Sequence, residues 1–308
     1  MSTLLKLGCF LVASAGLVAC NSTSSANSTI STTGATTSPE TVPEVDETEA
    51  NFSSAMSILV RNTGAGTVVS SDRQDVSVTT DVNSKGDVIV ELTALGRTVT
   101  FEPSDLDVAG NQFAKTLPDG TRVFLWTYDG TWSEVQRGDG KFTYMARFGT
   151  SDVVGDVNTR GYGVLGVQTT AAQLPTSGSA RYIAEDGMRA DVYPANDPSG
   201  RLSMYADVDL NMDFATSQIS GEFKNIEYGD GSTEPAILKI NPATVTNGSF
   251  ATTMAIEGAA SGETLSASSV NGSFYGDAAQ EVGGDLSFTT TSAGGSAVGA
   301  GVFGASKQ

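Results

Sequence analysis

The chain contains no histidine and only two cysteines, Cys9 and Cys20, among its 308 residues. Histidine is a frequent general base in catalytic sites, and histidine and cysteine together supply most of the ligands of zinc and copper. These absences exclude His-based catalysis, cysteine nucleophiles and most zinc or copper centres. We therefore expect a protein without a cofactor that is not an enzyme.

Basic residues are also scarce. The chain has 17 Lys and Arg residues against 35 Asp and Glu residues, which gives a net charge of −18 at pH 7. A chain of this charge is repelled by nucleic acids and by anionic surfaces. Nucleic acid is therefore excluded as a partner, and the main effect of the charge is solubility.

An apolar segment at the N-terminus is typical of a secretory signal peptide. Lys6 precedes the apolar residues 7–19, which are too few to span a membrane. The segment ends in Leu-Val-Ala-Cys at residues 17–20, and this ending resembles the lipobox of bacterial lipoproteins. The resemblance implies a signal peptide over 1–19 and cleavage before Cys20, which would then carry the lipid anchor. The alternative is an ordinary signal peptide with an incidental cysteine.

The segment after Cys20 is predicted to be a flexible tether. Residues 21–41 consist almost entirely of Ser, Thr, Asn, Ala and Gly, and cannot bury enough apolar surface to offset the entropy of ordering. We expect residues 20–50 to hold a folded domain away from the membrane. Asn21 stands where enteric lipoproteins retained in the inner membrane carry Asp, so the resemblance favours the outer membrane.

The remaining chain is predicted to be all-β, because it combines 35 glycines with frequent Ser, Thr and Val residues. In its N-terminal half, residues 74–80 and 87–92 form a hairpin around the turn 83–86. Further strands are predicted at 97–101, 121–128, 141–148 and 161–169, whereas residues 51–60 fit a short helix or a strand equally well.

Strands recur more regularly after Pro175. About eight short strands separated by turn residues predict a closed antiparallel barrel or a sandwich. They are predicted at 179–184, 201–211, 218–228, 236–240, 248–256, 267–275, 281–289 and 297–303, and residues 189–193 fit a further short strand.

Two short motifs resemble known functional sequences. Residues 81–87 resemble the start of an EF-hand loop, but Lys85 and Leu92 occupy the fifth and twelfth positions, where oxygen ligands are required. Residues 129–132 resemble a single, shortened Asp-box of the sialidase kind. A β-turn explains each motif better. Carboxylates are numerous, but none is singled out as the pair of a glycosidase.

Aromatic and arginine residues lie close together in the sequence between positions 122 and 148. Such residues are the usual anchors of binding surfaces, although they also build sheet cores. Three of the residues in this region fall in a predicted loop and are the best candidates for an exposed ligand-binding site: Trp132, Arg137 and Lys141.

The stretch VNGSFYGDAAQEVGG (270–284) and the ending GVFGA (301–305) resemble the end of the β-barrel domain of transferrin-binding protein B. Residues 162–166, 174–182 and 219–223 extend the resemblance upstream, so that it covers about residues 161–308. The residues of the motif are expected to be structural. They are Gly272, Phe274, Tyr275, Gly276, Glu281, Gly283, Gly284, Phe303 and Gly304. Phe274 and Tyr275 should point to opposite faces of one strand, and the paired glycines should permit close backbone approach.

The resemblance implies an N-terminal β-rich handle-like domain (51–175) followed by a C-terminal eight-stranded antiparallel β-barrel (176–308). It also implies a lipid-anchored binding protein on the surface of the outer membrane. The ligand would be a protein or a small solute, with iron or haem acquisition as the purpose and an outer-membrane transporter as a candidate partner. The alternatives are a structural or adhesive surface lipoprotein and, less favoured, a carbohydrate-active enzyme.

Overall fold

The computed structural model describes residues 50–62, 67–128, 130–132, 143–151, 157–194, 200–259, 262–293 and 295–308. The predicted signal peptide, Cys20 and the tether up to residue 49 lie outside the described residues. Apart from one turn of 3-10 helix at Pro103–Asp105 and the helical Trp132, the regular structure of the described residues consists of strands, which confirms the predicted all-β class.

An eight-stranded antiparallel sheet forms the N-terminal half of the described chain. Its neighbours follow the order β4-β3-β2-β1-β8-β7-β6-β5. The strands are β1 (Ala50–Asn62), β2 (Thr67–Val82), β3 (Val88–Ala94), β4 (Arg97–Phe101), β5 (Gln112–Thr116), β6 (Arg122–Thr127), β7 (Thr143–Ser151) and β8 (Val157–Gly166). The ambiguous residues 51–60 therefore belong to a strand.

The first sheet curls until its two edges approach each other. Lys115 Nζ on β5 donates a hydrogen bond of 2.7 Å to the carbonyl oxygen of Thr100 on β4. The concave face buries one apolar cluster to which both ends of the sheet contribute, including Val90, Phe101 and Leu125. The alternation of buried and exposed residues along β3 and β6 matches the period of two expected for strands with one covered face.

The second sheet contains the C-terminal strands, which run antiparallel to their neighbours in the order β14-β16-β17-β18-β9-β10-β11-β13-β15, with β12 paired to β11. Its strands are β9 (Ser179–Pro194), β10 (Leu202–Asp213), β11 (Gln218–Tyr228), β12 (Thr233–Glu234), β13 (Ile237–Thr244), β14 (Ser249–Thr252), β15 (Met254–Glu257), β16 (Thr264–Tyr275), β17 (Glu281–Ser292) and β18 (Gly295–Lys307).

This sheet closes into a barrel of eight strands. Thr253 alone separates β14 from β15, and the two segments lie between the ends of the sheet, with β14 paired to β16 and β15 paired to β13. Counted as one interrupted strand, they complete the predicted eight-stranded barrel. Buried side chains from its strands, among them Tyr182, Phe223, Phe274 and Phe303, fill the interior, as expected for a barrel of this size.

One strand prediction in the barrel was wrong. Residues 179–184 and 189–193 were expected to be separate strands, but β9 is continuous over sixteen residues. The register shifts between Ala184 and Met188, where Asp186 adopts a φ of 49° and donates its backbone N–H to Asp207 Oδ1 at 3.1 Å. A bulge thus absorbs the Glu-Asp-Gly sequence that resembles a turn.

A third apolar cluster joins the two sheets. Met145, Tyr162 and Val164 project from β7 and β8, and pack with Tyr193, Tyr275, Ala300 and Val302 of the barrel wall. The outer face of the first sheet is therefore covered by the barrel along β7 and β8. The described part of the chain contains no helix with the length and apolar character needed to cross a membrane.

Candidate binding site: an aromatic and arginine cluster

Of the three predicted site residues, the structure describes only Trp132. Trp132 is fully buried in the core of the first sheet, with its ring 5.5 Å from that of Phe113. Its backbone N–H donates to the carbonyl oxygen of Gly110 at 2.8 Å, which holds the residue against the sheet. The expectation that Trp132 is exposed was therefore wrong, because burying its large apolar ring stabilises the core. Arg137 and Lys141 lie outside the described residues.

The two aromatics of the C-terminal motif point to opposite faces of β16. Phe274 lies in the barrel interior, whereas Tyr275 belongs to the cluster shared with the first sheet. Glu281 also links the sheets, since Thr143 Oγ1 donates a hydrogen bond of 2.6 Å to its carboxylate. Phe303 packs on Phe223 inside the barrel, with ring centroids 5.4 Å apart.

The glycines of this motif stand where the backbone or a ring comes close. A Cβ at Gly284 would lie 1.9 Å from the carbonyl oxygen of Asn271, and one at Gly272 would lie 2.3 Å from the Phe250 ring. Gly276 adopts a φ of 80°, which favours glycine. Gly283 faces Val164 of the first sheet, and Gly304 faces Met145.

A different group of side chains forms the most distinctive polar site. Phe124, Trp126 and Tyr128 alternate with buried residues and lie on the outer face of β6 and just beyond it. The guanidinium carbon of Arg147 on β7 lies 4.6 Å from the centroid of the Trp126 ring and 5.7 Å from those of Phe124 and Tyr128. Arg189 on β9 lies 5.4 Å from the Tyr128 ring. These cation–π contacts fix the two guanidinium groups in place.

The carboxylate of Asp191 lies at the centre of this group and is almost completely buried. It accepts hydrogen bonds from Nη1 of Arg160 at 3.0 Å and from Nη1 of Arg201 at 3.1 Å, and a short one from the Tyr162 hydroxyl. Arg147 Nη1 is farther away, at 3.8 Å. We call these residues the Asp191 cluster: Phe124, Trp126, Tyr128, Arg147, Arg160, Tyr162, Arg189, Asp191 and Arg201.

The charges of the Asp191 cluster act in opposite directions on its titratable groups. Burial would raise the pKa of Asp191, but the Tyr162 hydrogen bond and the charges of Arg201, Arg160 and Arg147 outweigh burial, so that the pKa lies below its usual value. Burial raises the pKa of Tyr128 to about 12, although Arg147 opposes the rise. The carboxylate thus stays ionised and the phenol stays protonated near neutral pH.

The cluster carries more positive than negative charge. It contains four arginines and a single aspartate, within a chain that is strongly acidic overall. The Nε atoms of Arg147 and Arg189 are buried and have no hydrogen-bond partner among the described residues. The arrangement can therefore recognise an anionic group.

A second charged group lies on the outside of the barrel and is a cross-strand ladder. Arg181, Asp209, Lys224, Glu222 and Lys239 alternate in sign across β9, β10, β11 and β13. The charges compensate one another, so the ladder stabilises neighbouring strands and leaves little capacity for a ligand.

Sequence reasoning found only part of the Asp191 cluster. It selected the aromatics and arginines near positions 122–148 because they are close in the sequence. Asp191, Arg160 and Arg201 were missed, since Asp191 and Arg201 meet the first-sheet residue Arg160 only when the barrel wall packs on that sheet. The alternation of Arg189, Asp191 and Tyr193 along β9 is the signal that could have placed Asp191 on one face with Arg189.

Comparison with known proteins identifies the barrel. The family described as "C-lobe and N-lobe beta barrels of Tf-binding protein B" matches residues 174–307, which is less than half of the chain. No curated protein sequence matches.

Among solved structures, the intact transferrin-binding protein B designated Ap-TbpB, with N and C lobes, is 16% identical, with a TM-score of 0.42. The match covers 76% of this chain and 52% of that one. A double mutant of the vaccine antigen transferrin-binding protein B from Haemophilus parasuis Hp5, with a Tyr and a Trp replaced by Ala, is 15% identical, with a TM-score of 0.43. It covers 76% of this chain and 51% of that one.

The chain thus spans about half the length of these two relatives. These TM-scores carry no argument, so the likeness rests on the sequence match alone. Residues 174–307 accordingly match the β-barrel domains of the transferrin-binding protein B family.

Proposed function

We propose that the chain is a lipid-anchored lipoprotein on the surface of the outer membrane that captures a protein ligand. The match of residues 174–307 to the barrel domains of a binding protein supports a binding function. The lipobox-like ending at Cys20 and the tether that follows support the anchor. In this proposal residues 51–175 form the handle-like domain and residues 176–308 the barrel.

The packing of the barrel favours a protein ligand over a small solute. Its interior is occupied by buried aromatic and aliphatic side chains, including Tyr182, Phe223, Phe274 and Phe303. An eight-stranded barrel filled in this way holds no enclosed ligand, so that binding must use the outer surface or the loops. This packing is the observation that carries the choice of a protein ligand.

Iron or haem acquisition is the proposed purpose. The chain has no histidine, so direct haem ligation would require Tyr or Met. A carrier protein for iron or haem is therefore the proposed ligand, and an outer-membrane transporter the proposed recipient. The names of the relatives refer to transferrin, but transferrin is not proposed as the ligand of this chain.

The location is tested by treating intact cells with protease and with an antibody against the folded domain. The wild-type protein should be cleaved and labelled on whole cells, and Cys20→Ser should be released or mislocalised. Protection of the wild type until the outer membrane is broken would place the protein in the periplasm and overturn surface capture.

The proposed role in iron or haem acquisition is tested by deleting the coding sequence. Cells are then grown on a single defined iron source, either a protein carrier or a free iron chelate. Slower growth on the carrier alone, restored by the wild-type chain, is expected. Unchanged growth and uptake on every source would refute nutrient acquisition and favour the structural or adhesive alternative.

A further inference from the structure

A shallow depression lies on the outer face of the first sheet, beside the Asp191 cluster. Its volume is about 250 Å³, and Gln112, Arg122, Phe124, Arg147 and Ser151 line it. The strand register explains its shape. Phe124 pairs with Gly149, and a Cβ at Gly149 would lie 2.0 Å from Cζ of the Phe124 ring. Because Gly149 has no side chain, the ring lies flat on the sheet and forms the floor.

The polar groups around this floor are mainly hydrogen-bond donors. Arg122 is exposed at one side, opposite Ser151 in the register, and Arg147 lies at the other. No carboxylate lines the depression in the described part of the chain. Two guanidinium groups, an amide and a hydroxyl therefore converge on one space, and the guanidinium groups are suited to an oxyanion.

Arg147 is held in position but is only loosely paired. The aromatic rings of Phe124, Trp126 and Tyr128 surround its guanidinium group, and its side chain is 12% exposed. Its nearest carboxylate, Asp191, is 3.8 Å away and is bound more closely by Arg160 and Arg201. A fixed guanidinium group with spare donors loses little entropy when it binds a carboxylate.

We propose that this depression binds a carboxylate group on an acidic segment of the protein ligand, with Arg122 and Arg147 as the principal contacts and Phe124 beneath the side chain. This proposal rests on the proposed function, because that function makes the occupant of the depression a segment of a protein.

The overall charge of the chain favours a local carboxylate over an anionic lipid surface. An extended anionic membrane is repelled by the whole chain of net charge −18. A single carboxylate in the depression is influenced mainly by charges within about 8 Å at physiological salt, and there the arginines dominate. A lipid phosphate is the alternative oxyanion, and the experiment below distinguishes it from a carboxylate.

The test measures binding of a fluorescein-labelled octaglutamate peptide to the full chain carrying Cys20→Ser, by fluorescence anisotropy. Octaglutamine and the water-soluble lipid dihexanoyl phosphatidylglycerol serve as competitors. We expect saturable binding of octaglutamate that neither competitor removes. Arg122→Gln should weaken it about tenfold, as the loss of one charge-assisted hydrogen bond predicts.

Arg97→Gln is the matched control, because Arg97 is also an exposed arginine of the first sheet and its replacement causes the same change in net charge. It should alter octaglutamate affinity by less than about twofold, since it lies outside the depression. Arg147→Lys keeps the charge but loses the planar fork, and should weaken binding by at least as much as Arg122→Gln.

Equal effects of Arg122→Gln and Arg97→Gln would overturn the proposal, since bulk charge would then explain the binding. The absence of saturable octaglutamate binding at millimolar concentration would also overturn it. Displacement by the short lipid would reassign the depression to a phosphate. None of these outcomes depends on where the protein lies in the cell, so the peptide titration and the protease experiment can fail independently.

Discussion

Replacing Gly284 with alanine introduces a methyl group between two paired barrel strands. The new Cβ would lie 1.9 Å from the carbonyl oxygen of Asn271 and 2.7 Å from Cα of Gly272, whereas real Cβ contacts are essentially never shorter than 3.0 Å. The backbone of β16 must therefore move by about 1 Å, because neither contact can be relieved by rotating a side chain.

The substitution lowers the stability of the fold in two ways. Overpacking of this kind costs about 1–3 kcal/mol. Moving Asn271 also strains its hydrogen bond to the buried carboxylate of Asp285, now 3.1 Å long, and such bonds contribute about 1.5–3 kcal/mol. We expect Gly284→Ala to lower the free energy of unfolding by about 4 kcal/mol, which corresponds to a Tm decrease of about 8–16 °C for a domain of this size.

The assay is thermal and urea unfolding of the full chain, followed by far-ultraviolet circular dichroism. Gly304→Ala is the control, since a Cβ there would meet Met145 Cγ at an ordinary 3.7 Å. Its effect should stay within about 1 kcal/mol. A Gly284→Ala protein with the wild-type Tm would refute the close approach of β16 and β17 and, with it, the structural explanation of the glycine pair.

Three further predictions concern buried side chains. Because the folded pKa of Asp191 is lowered, its contribution to stability is complete above the unfolded carboxylate value near pH 4 and is lost as the pH falls toward the folded value. Asp191→Asn should therefore cost about 3–5 kcal/mol at pH 7 and flatten the acid limb of a stability–pH curve; an unchanged curve would contradict the central position of the carboxylate. Trp132→Ala should lower the free energy of unfolding in urea by about 3–5 kcal/mol, and a near-neutral result would indicate that the ring is exposed. Tyr275→Ala should accelerate hydrogen exchange in β7 and β8 more than in β10, whereas Phe274→Ala should act mainly on the barrel; identical patterns would show that the two rings share one environment.

The strand content could be predicted because it depends on local sequence. The alternation along residues 202–210 and the turn at 83–86 determine strand and hairpin without reference to the remaining chain. In that turn, Asn83 Oδ1 accepts the backbone N–H groups of Lys85 and Asp87 at 2.9 and 3.0 Å. The period of two also assigned Phe274 and Tyr275 to opposite faces of one strand.

Local patterns misled where a distant contact decides the outcome. The sequence of residues 185–187 resembles a turn, but pairing with β10 on one side and β18 on the other keeps β9 continuous through a bulge. Trp132 follows a turn and resembles an exposed anchor, yet the curl of the first sheet brings Phe113 and the core around its ring.

The sequence by itself determined the all-β class and the match of residues 174–307 to a known barrel family, because both depend on the order of residues along one segment. Only the tertiary structure decided where the charges meet. Asp191 lies on β9, whereas Arg147 and Arg160 lie on strands of the other sheet. Packing of the barrel wall against β7 and β8 brings them together, and that packing depends on the shapes of two whole sheets, which no local pattern encodes.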